Sequence, residues 1–315
     1  MKKKWSLTIS FIYNTHMILK NEVIYQMNKE MAKSYLMVIA AMLIWGSSGV
    51  LRRNIPVSSE FLAFIRGILG ALFMLAIILY NKNTGLSKIP AKVVGTLLVT
   101  GAMYGLNWIF FFEAINYTTV PVATLCYYMQ PTIVILLSPL LLKERLTIKK
   151  IIVVILTATG MVLISGITEN SSLGENQLKG ILFGLSAGFL YALNAILNKR
   201  ISQIDTYHKT FIQLIGATII MLPYPLLTND FFPTEINIHS GLLIFILGTV
   251  YTGVAFALYF ASMKKLSASS VAICSYIDPI SALFLSALLL GETLTITCIA
   301  GAILIIGTAL ISEIK

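Results

Sequence analysis

Cys274-Ser275-Tyr276-Ile277-Asp278-Pro279 places an acid and a proline in the middle of a long apolar run, residues 268–290. An acidic side chain at the centre of a membrane-length segment costs about 2.5–3.5 kcal/mol to insert. Proline removes one backbone donor and frees the carbonyl group four residues earlier, that of Ser275. Because hydrocarbon tolerates both features poorly, the stretch predicts a cavity beside Asp278 in a membrane protein.

An echo of this stretch, Cys126-Tyr127-Tyr128-Met129-Gln130-Pro131, occurs 148 residues earlier. The same shift places residues 140–148 on 288–296, where several residues are identical. A shift of 147 places Phe64-Ile65-Arg66 on Phe211-Ile212-Gln213. The sequence therefore predicts two copies of one structural unit.

The composition indicates a polytopic membrane protein. Of the 315 residues, 57% are hydrophobic and only 11% are charged, whereas a soluble domain carries roughly 25% charged residues. The net charge of +10 comes from short loops between apolar runs, which fits the positive-inside rule and not nucleic-acid binding. The three cysteines lie in apolar runs, which argues against disulfides and metal clusters. We expect no cofactor.

Ten apolar runs from Ser34 onward are long enough to cross a bilayer, and all should be helices because each must satisfy its own backbone in lipid. They lie near 34–52, 60–80, 93–112, 120–142, 149–167, 179–198, 208–227, 240–262, 268–290 and 295–312. The predicted organisation is a tail (1–33), a first five-helix repeat (34–167), an external linker (168–178) and a second repeat (179–315). The tail is either an interfacial segment or an extension upstream of a working start at Met27 or Met31.

Charge bias and parity predict how the two copies lie in the membrane. With both termini on one side, nineteen Lys and Arg residues fall on that side and three, Arg52, Arg53 and Lys179, on the other. Both termini are therefore predicted to be cytoplasmic, with the protein in the cell membrane. Because five spans is an odd number, the second copy enters from the opposite side. Inverted repeats of this kind are typical of alternating-access carriers, so the predicted fold class is all-α, with ten transmembrane helices in two inverted five-helix repeats.

Each half closes its fourth helix with the pattern Pro-x(12)-Glu-x-Leu-Thr, at Pro131 and at Pro279. Together with the ten-span plan, this pattern resembles the EamA-like transporters of the drug/metabolite transporter superfamily, over roughly Ser34 to the C-terminus. The resemblance implies transport of small metabolites, often amino acids or drug-like solutes. It also implies a central cavity formed by the first four helices of each half. Asp278 stands where the family more usually has Glu, so its carboxyl group lies about one methylene further back.

Asp278 and Arg66 are the charged candidates for the cavity. Asp278 is either a proton or cation site, a counter-charge to an amine substrate, or a carboxyl group that pins two helices. Arg66 binds a substrate carboxylate, pairs with Asp278 or extends toward the membrane surface. If both line one cavity, they suit a zwitterion such as an amino acid. Their repeat equivalents are the uncharged Gln130 and Gln213.

Polar aromatic and amide side chains near mid-span are further candidates for the wall, because such groups orient substrates, although most of them pack between helices in membrane proteins. They are Trp45, Asn107, Trp108, Tyr128, Tyr191, Asn194 and Tyr276. Pro131 and Pro279 are predicted to kink the fourth and ninth helices and expose carbonyl groups to the cavity; a purely structural break is the alternative. Gly180-x3-Gly184-x3-Gly188 predicts a close-packing face between the halves.

Other classes of function fit the sequence less well. Gly46-Ser47-Ser48-Gly49 matches a serine-protease signature, but its nucleophile needs a base and no histidine lies at mid-span, so we expect no enzyme. A channel stays open as an alternative, although no ring of charge is visible. The predicted function is a secondary carrier of small metabolites, with export favoured and a facilitative uniporter or channel-like pore as the alternative. The expected partners are the lipid bilayer and a small solute, with protons as a candidate coupling ion and a homodimer as a candidate assembly.

Overall fold

The structure is a computed structural model that describes residues 29–81, 89–118, 120–165, 175–201, 204–227, 236–291 and 295–313. Within these ranges every regular element is helical, which confirms the predicted all-α class. Most of the predicted tail and most of the predicted linker lie outside the described residues.

The first half contains seven helices. The first is α1, residues 29–46, and it continues into the short helix α2, Ser48–Arg53. The others are α3 (Ser59–Tyr80), α4 (Ala91–Tyr117), α5 (Val120–Tyr127), α6 (Gln130–Leu142) and α7 (Ile148–Ser165).

The second half repeats this order with two additional interruptions. Its helices are α8 (Glu175–Arg200), α9 (Thr206–Met221), α10 (Pro223–Leu227), α11 (Ile238–Ile246), α12 (Ala255–Ser262), α13 (Ala268–Cys274), α14 (Ile277–Leu290) and α15 (Ile296–Glu313). Between α11 and α12 the chain stays helical but winds as a π-helix, Leu247–Val254.

Seven helical stretches of the described chain are long and apolar enough to cross a membrane. They are Lys29–Arg52, Glu60–Tyr80, Ala91–Tyr117, Val122–Leu142, Gln177–Arg200, Ile238–Ser262 and Ala268–Leu289. The predicted fifth, seventh and tenth spans correspond to α7, α9 and α15, which have 18, 16 and 18 residues and do not belong to this set. The chain is therefore a multi-helix membrane protein, and the count of ten spans stays a prediction.

The fourth and ninth helices are both interrupted just before their prolines. The first ends at Tyr127 and resumes at Gln130, and the second ends at Cys274 and resumes at Ile277. Proline cannot donate to the preceding turn, so each break falls in the turn that precedes Pro131 or Pro279. As a result, α6 and α14 both begin in the interior of the bundle.

Helices of the two copies pack against each other. The equivalent helices α3 and α9 are in contact, as are the equivalent helices α7 and α15, and α6 packs against α13. The predicted glycine face of α8 packs against α5 of the first half, where a Cβ added at Gly188 would lie 2.9 Å from the Tyr127 carbonyl oxygen. The two halves therefore share one interior, and the interruptions of α5–α6 and α13–α14 lie inside it.

Candidate functional site

A cavity of about 330 Å³ lies between the two halves. Its wall includes Ser48 and Gly49 in α2, Phe112 in α4 and Thr124 in α5, which all lie toward the same face of the bundle. The other face carries Lys150, Lys199, Lys264 and their basic neighbours, and we call it the basic face. The cavity occupies the half of the protein away from the basic face, and its volume is within the range of small-molecule sites, about 300–1,000 Å³.

Aromatic side chains account for nine of the nineteen residues of the cavity wall. Those in α1 and α4 are Trp45, Trp108, Phe111 and Phe112, and the others are Tyr127, Tyr128, Tyr191, Tyr251 and Phe256. Several of these rings pack edge to face, for example Trp45 on Phe256 with 5.0 Å between ring centroids. The tyrosine hydroxyls and tryptophan N–H groups add polar tips to these largely apolar rings.

Asp278 reaches the cavity from the first turn of α14. The N-terminal end of a helix carries a partial positive charge, which favours an acidic side chain at this position. The Tyr128 hydroxyl is a hydrogen-bond partner of the Asp278 carboxyl group. Gln130, the repeat equivalent of Asp278, occupies the matching place at the start of α6 and also lines the cavity.

Arg66 lines the same cavity from α3. Its guanidinium carbon lies 3.9 Å from the centroid of the Trp108 ring, a cation–π contact. Within the described part of the chain, Arg66 Nε has no hydrogen-bond partner, and Arg66 and Asp278 form no direct ion pair. The two opposite charges therefore face one cavity while each keeps capacity to bind a further group.

Tyr251 is a wall residue that the sequence did not reveal. It lies in the π-helix, a form that occurs often at functional sites. Its backbone carbonyl accepts a hydrogen bond from Trp45 Nε1 at 2.8 Å, and its hydroxyl lies 2.7 Å from the Ser47 hydroxyl. Phe111, Phe112 and Tyr127 were also missed. Their helical spacing from the candidates Trp108 and Gln130 was the available signal.

The structure brings together seven of the predicted candidates in the wall: Asp278, Arg66, Gln130, Trp45, Trp108, Tyr128 and Tyr191. It places the other four in packed contacts between helices. Asn107 donates to the Ala187 carbonyl at 2.6 Å, Asn194 donates to the Thr100 carbonyl, Gln213 donates to the Thr100 hydroxyl at 2.7 Å, and the Tyr276 hydroxyl lies 2.8 Å from that of Thr132. Their role in transport stays a prediction.

The serine signature at Gly46–Gly49 has a structural explanation. The Ser47 hydroxyl donates to the Ile44 carbonyl at 2.8 Å and contacts the Tyr251 hydroxyl. His208, one of the histidines in the described chain, instead lies in α9 with its Nδ1 3.0 Å from the Asp205 carboxylate. The signature thus belongs to the contact between α1 and the π-helix.

Hydrogen bonds between the two halves close the basic face. Glu144, in the segment between α6 and α7, accepts from the Ala268 amide at 2.8 Å and from the Ser269 hydroxyl at 2.6 Å at the start of α13. Lys150 lies 3.6 Å from the same carboxylate. Beneath this contact, Tyr259, Phe260 and other buried side chains form a packed layer. The layer separates the cavity from the basic face.

Inverted repeats predict alternating access, and on that expectation Glu144→Gln should open the basic face more often, because a neutral amide with one acceptor oxygen replaces the carboxylate. A charge-assisted hydrogen bond contributes about 1.5–3 kcal/mol, so the open population should rise about tenfold. Thiol labelling of Val271→Cys, a buried position in α13, in a background without native cysteines measures this population. Glu30→Gln, at an exposed position of α1 near the same face, is the control. Equal labelling of the two variants would contradict the role of this contact in closing the basic face.

Comparison with known proteins is consistent with this architecture. The EamA-like transporter family matches the chain twice, over residues 32–166 and 178–313. A solved crystal structure of a protein superposes with a TM-score of 0.78 over 90% of this chain and 96% of its own, at 18% sequence identity. That similarity concerns the fold alone.

Several proteins named as transporters are similar in sequence over most of their length. The uncharacterized transporter YxxF of Bacillus subtilis (strain 168) is 27% identical over 266 residues, 84% of each chain. An uncharacterized transporter of Archaeoglobus fulgidus is 28% identical over 87% of this chain and 94% of its own. The uncharacterized inner membrane transporter YicL of Salmonella typhimurium is 27% identical over 89% and 94%. The EamA-like family matches once in each repeat, which agrees with the resemblance that the sequence motifs indicated. The chain belongs to the EamA-like transporter family.

Proposed function

We propose that this membrane transporter is a secondary carrier that moves small zwitterionic metabolites, of amino-acid-like or drug-like chemistry, by alternating access and in the direction of export. The observation that carries the proposal is the presence of Arg66 and Asp278 in one aromatic cavity without an ion pair between them. Family membership supports transport, and the cavity supports the class of substrate.

The proposed binding mode follows from the two charges. A substrate carboxylate would accept hydrogen bonds from the Arg66 guanidinium, whose planar donors match a carboxylate. The substrate amine would lie at Asp278, and its apolar body would pack against rings such as Trp108 and Tyr251. Removing both substrate charges from water is costly. A zwitterion recovers this cost at both Arg66 and Asp278, whereas a solute with one charge leaves one of these two side chains without a partner. The proposed selectivity follows from this difference.

We place ten spans in the membrane, in two inverted repeats with both termini in the cytoplasm. The three shorter helices α7, α9 and α15 would complete the five spans of each half, and the bias of basic residues supports the orientation. In that orientation the basic face is cytoplasmic and the cavity lies in the outer half. Rocking of the halves would expose Asp278 alternately to each side.

Counterflow into proteoliposomes tests the proposal with the unmodified protein. Three competitors of one carbon skeleton are compared: an apolar amino acid, the amine formed by removing its carboxyl group, and the acid formed by removing its amino group. We expect saturable counterflow in which the amino acid competes at least about tenfold better than either analogue, since each analogue leaves one cavity charge unmatched. Flux that never saturates would indicate a channel, and equal competition by the amine would exclude a carboxylate at Arg66.

A further inference from the structure

The wall of the cavity has a packed counterpart beneath the basic face. Five wall positions, 66, 111, 112, 127 and 128, fall on residues of the second repeat when the chain is shifted by 147 or 148. Their counterparts are Gln213, Tyr259, Phe260, Ser275 and Tyr276, and each is between 1% and 3% exposed. One copy of the unit therefore presents these positions to a cavity, and the other packs them.

Inverted repeats exchange their conformations when a carrier changes the side to which it opens. In that change the packed counterparts would separate and become the wall of a cavity that opens to the basic face. This step depends on the alternating access proposed above. The side chains buried there now would then meet the substrate.

The packed counterpart contains a polar cluster at the crossing of α4, α8 and α9. Gln213 Nε2 donates to the Thr100 hydroxyl at 2.7 Å and to Asn198 Oδ1 at 3.0 Å. Among the described residues, Gln213 Oε1 has no hydrogen-bond partner although the residue is buried. An unpaired buried acceptor is unfavourable, and the cluster is incompletely satisfied in this conformation.

Lys209 lies one turn before Gln213 on the same side of α9 and is only 1% exposed. Its ammonium donates to the Asn198 carbonyl at 3.0 Å and lies 5.1 Å from the centroid of the Phe260 ring. No carboxylate of the described chain is within ion-pair distance of Lys209, and the charged groups that act on it are Lys199 and Lys264. Lys209 is therefore a buried basic group with no carboxylate partner among the described residues.

We propose that, when the cavity opens to the basic face, Lys209 binds the anionic group of the substrate and Gln213 Oε1 accepts from the substrate's ammonium group. Each half then contributes one cation from its second helix, Arg66 from α3 and Lys209 from α9. Arg66 serves the cavity seen here, and Lys209 serves its counterpart. The carboxylate of the substrate supplies the anion that Lys209 lacks. The free oxygen of Gln213 accepts a hydrogen bond from the ammonium group of the substrate.

Accessibility of the counterpart wall is the first test. Ser275→Cys changes one atom at a buried position of that wall, and Ser48→Cys lies in the cavity wall seen here; both are made with Cys126, Cys274 and Cys298 replaced by serine. A membrane-impermeant thiol reagent should label Ser275→Cys only from the basic face and Ser48→Cys only from the other. Labelling of Ser48→Cys without any labelling of Ser275→Cys would overturn the counterpart cavity.

Charge-dependent transport by Lys209 variants is the second test. With Lys209→Met, counterflow of the amino acid should fall at least tenfold while that of the corresponding amine changes less than twofold, and Lys209→Arg should restore it. Lys264→Met, at an exposed neighbouring lysine, is the control. Equal loss for both solutes with a lower melting temperature would assign Lys209 to capping α8 only and overturn the proposal. Absence of amino-acid counterflow in the unmodified protein would instead reject the proposed function and leave the labelling result standing.

Discussion

Gly101→Val is expected to lower the free energy of unfolding by about 3 kcal/mol or more, at the upper end of the range for overpacked interiors. Gly101 is buried where α4 of the first half crosses α9 of the second. A Cβ at this position would overlap the Gln213 carbonyl oxygen and lie 2.8 Å from Gln213 Cα. These are backbone atoms, which cannot rotate away, so the two helices would have to separate. Thermal unfolding in detergent measures the change.

Gly95→Val provides the matched control on the same helix. Gly95 is exposed, and no other atom lies within 4 Å of a Cβ added there. Both substitutions replace glycine by the same β-branched residue in a helix, so their intrinsic helix propensities cancel. We expect the free energy of unfolding of Gly95→Val to lie within about 0.5 kcal/mol of that of the unmodified protein. Equal destabilisation by the two variants would mean that the α4–α9 contact is looser than it is here.

Close approach of the halves explains why small residues cluster along their contacts. Gly46 meets α14 at Ser281, and a Cβ there would lie 2.6 Å from the Asp278 carbonyl oxygen. Gly188 meets the break between α5 and α6 in the same manner. Small residues allow helix backbones to pack closely in membranes, where van der Waals contact and hydrogen bonds replace the hydrophobic effect between helices. The helices that hold Asp278 and Gln130 are thus positioned by glycines of the opposite half.

The class of protein and the place of Asp278 could be predicted from the sequence because they depend on features of long range in the chain. Apolar runs and the 148-residue repeat are visible in the sequence and do not depend on how the side chains pack. The repeat predicts that Asp278 and Gln130 lie at matching helix starts. Arg66 was a candidate because a cation is rare within a span. These residues do line one cavity.

The rest of the site depends on geometry that residue types do not encode. Tyr251 reaches the wall from a π-helix, in which the backbone hydrogen bonds shift by one residue. The residue types in this segment do not predict that shift. Asn107 and Asn194 were candidates for the wall because polar groups near mid-span orient substrates. An amide at such a position needs a polar partner. A backbone carbonyl of a neighbouring helix satisfies that need as well as a substrate does, and the structure shows this second arrangement.

Arg66→Gln and Asp278→Asn are each expected to reduce counterflow of an amino acid by about 10²-fold, because truncating one partner of a buried charge pair costs about 2–5 kcal/mol. The two losses should differ in kind. Arg66→Gln should spare the amine analogue, whereas Asp278→Asn should spare the acid analogue. Arg145→Gln, an exposed change on the basic face, is the control.

The pH dependence of Asp278→Asn separates the two roles that its carboxyl group can have. If the carboxylate binds the amine of the substrate, transport of the amino acid is lost at every pH. If it carries a coupling proton, the variant retains exchange of substrate for substrate but loses the dependence of net flux on pH, because the amide cannot take up or release a proton. Both outcomes require the carboxyl group to be accessible from the cavity, which Asp278 lines. Unmodified counterflow and unmodified pH dependence together would remove Asp278 from the mechanism and leave it the role of holding α14 against Tyr128.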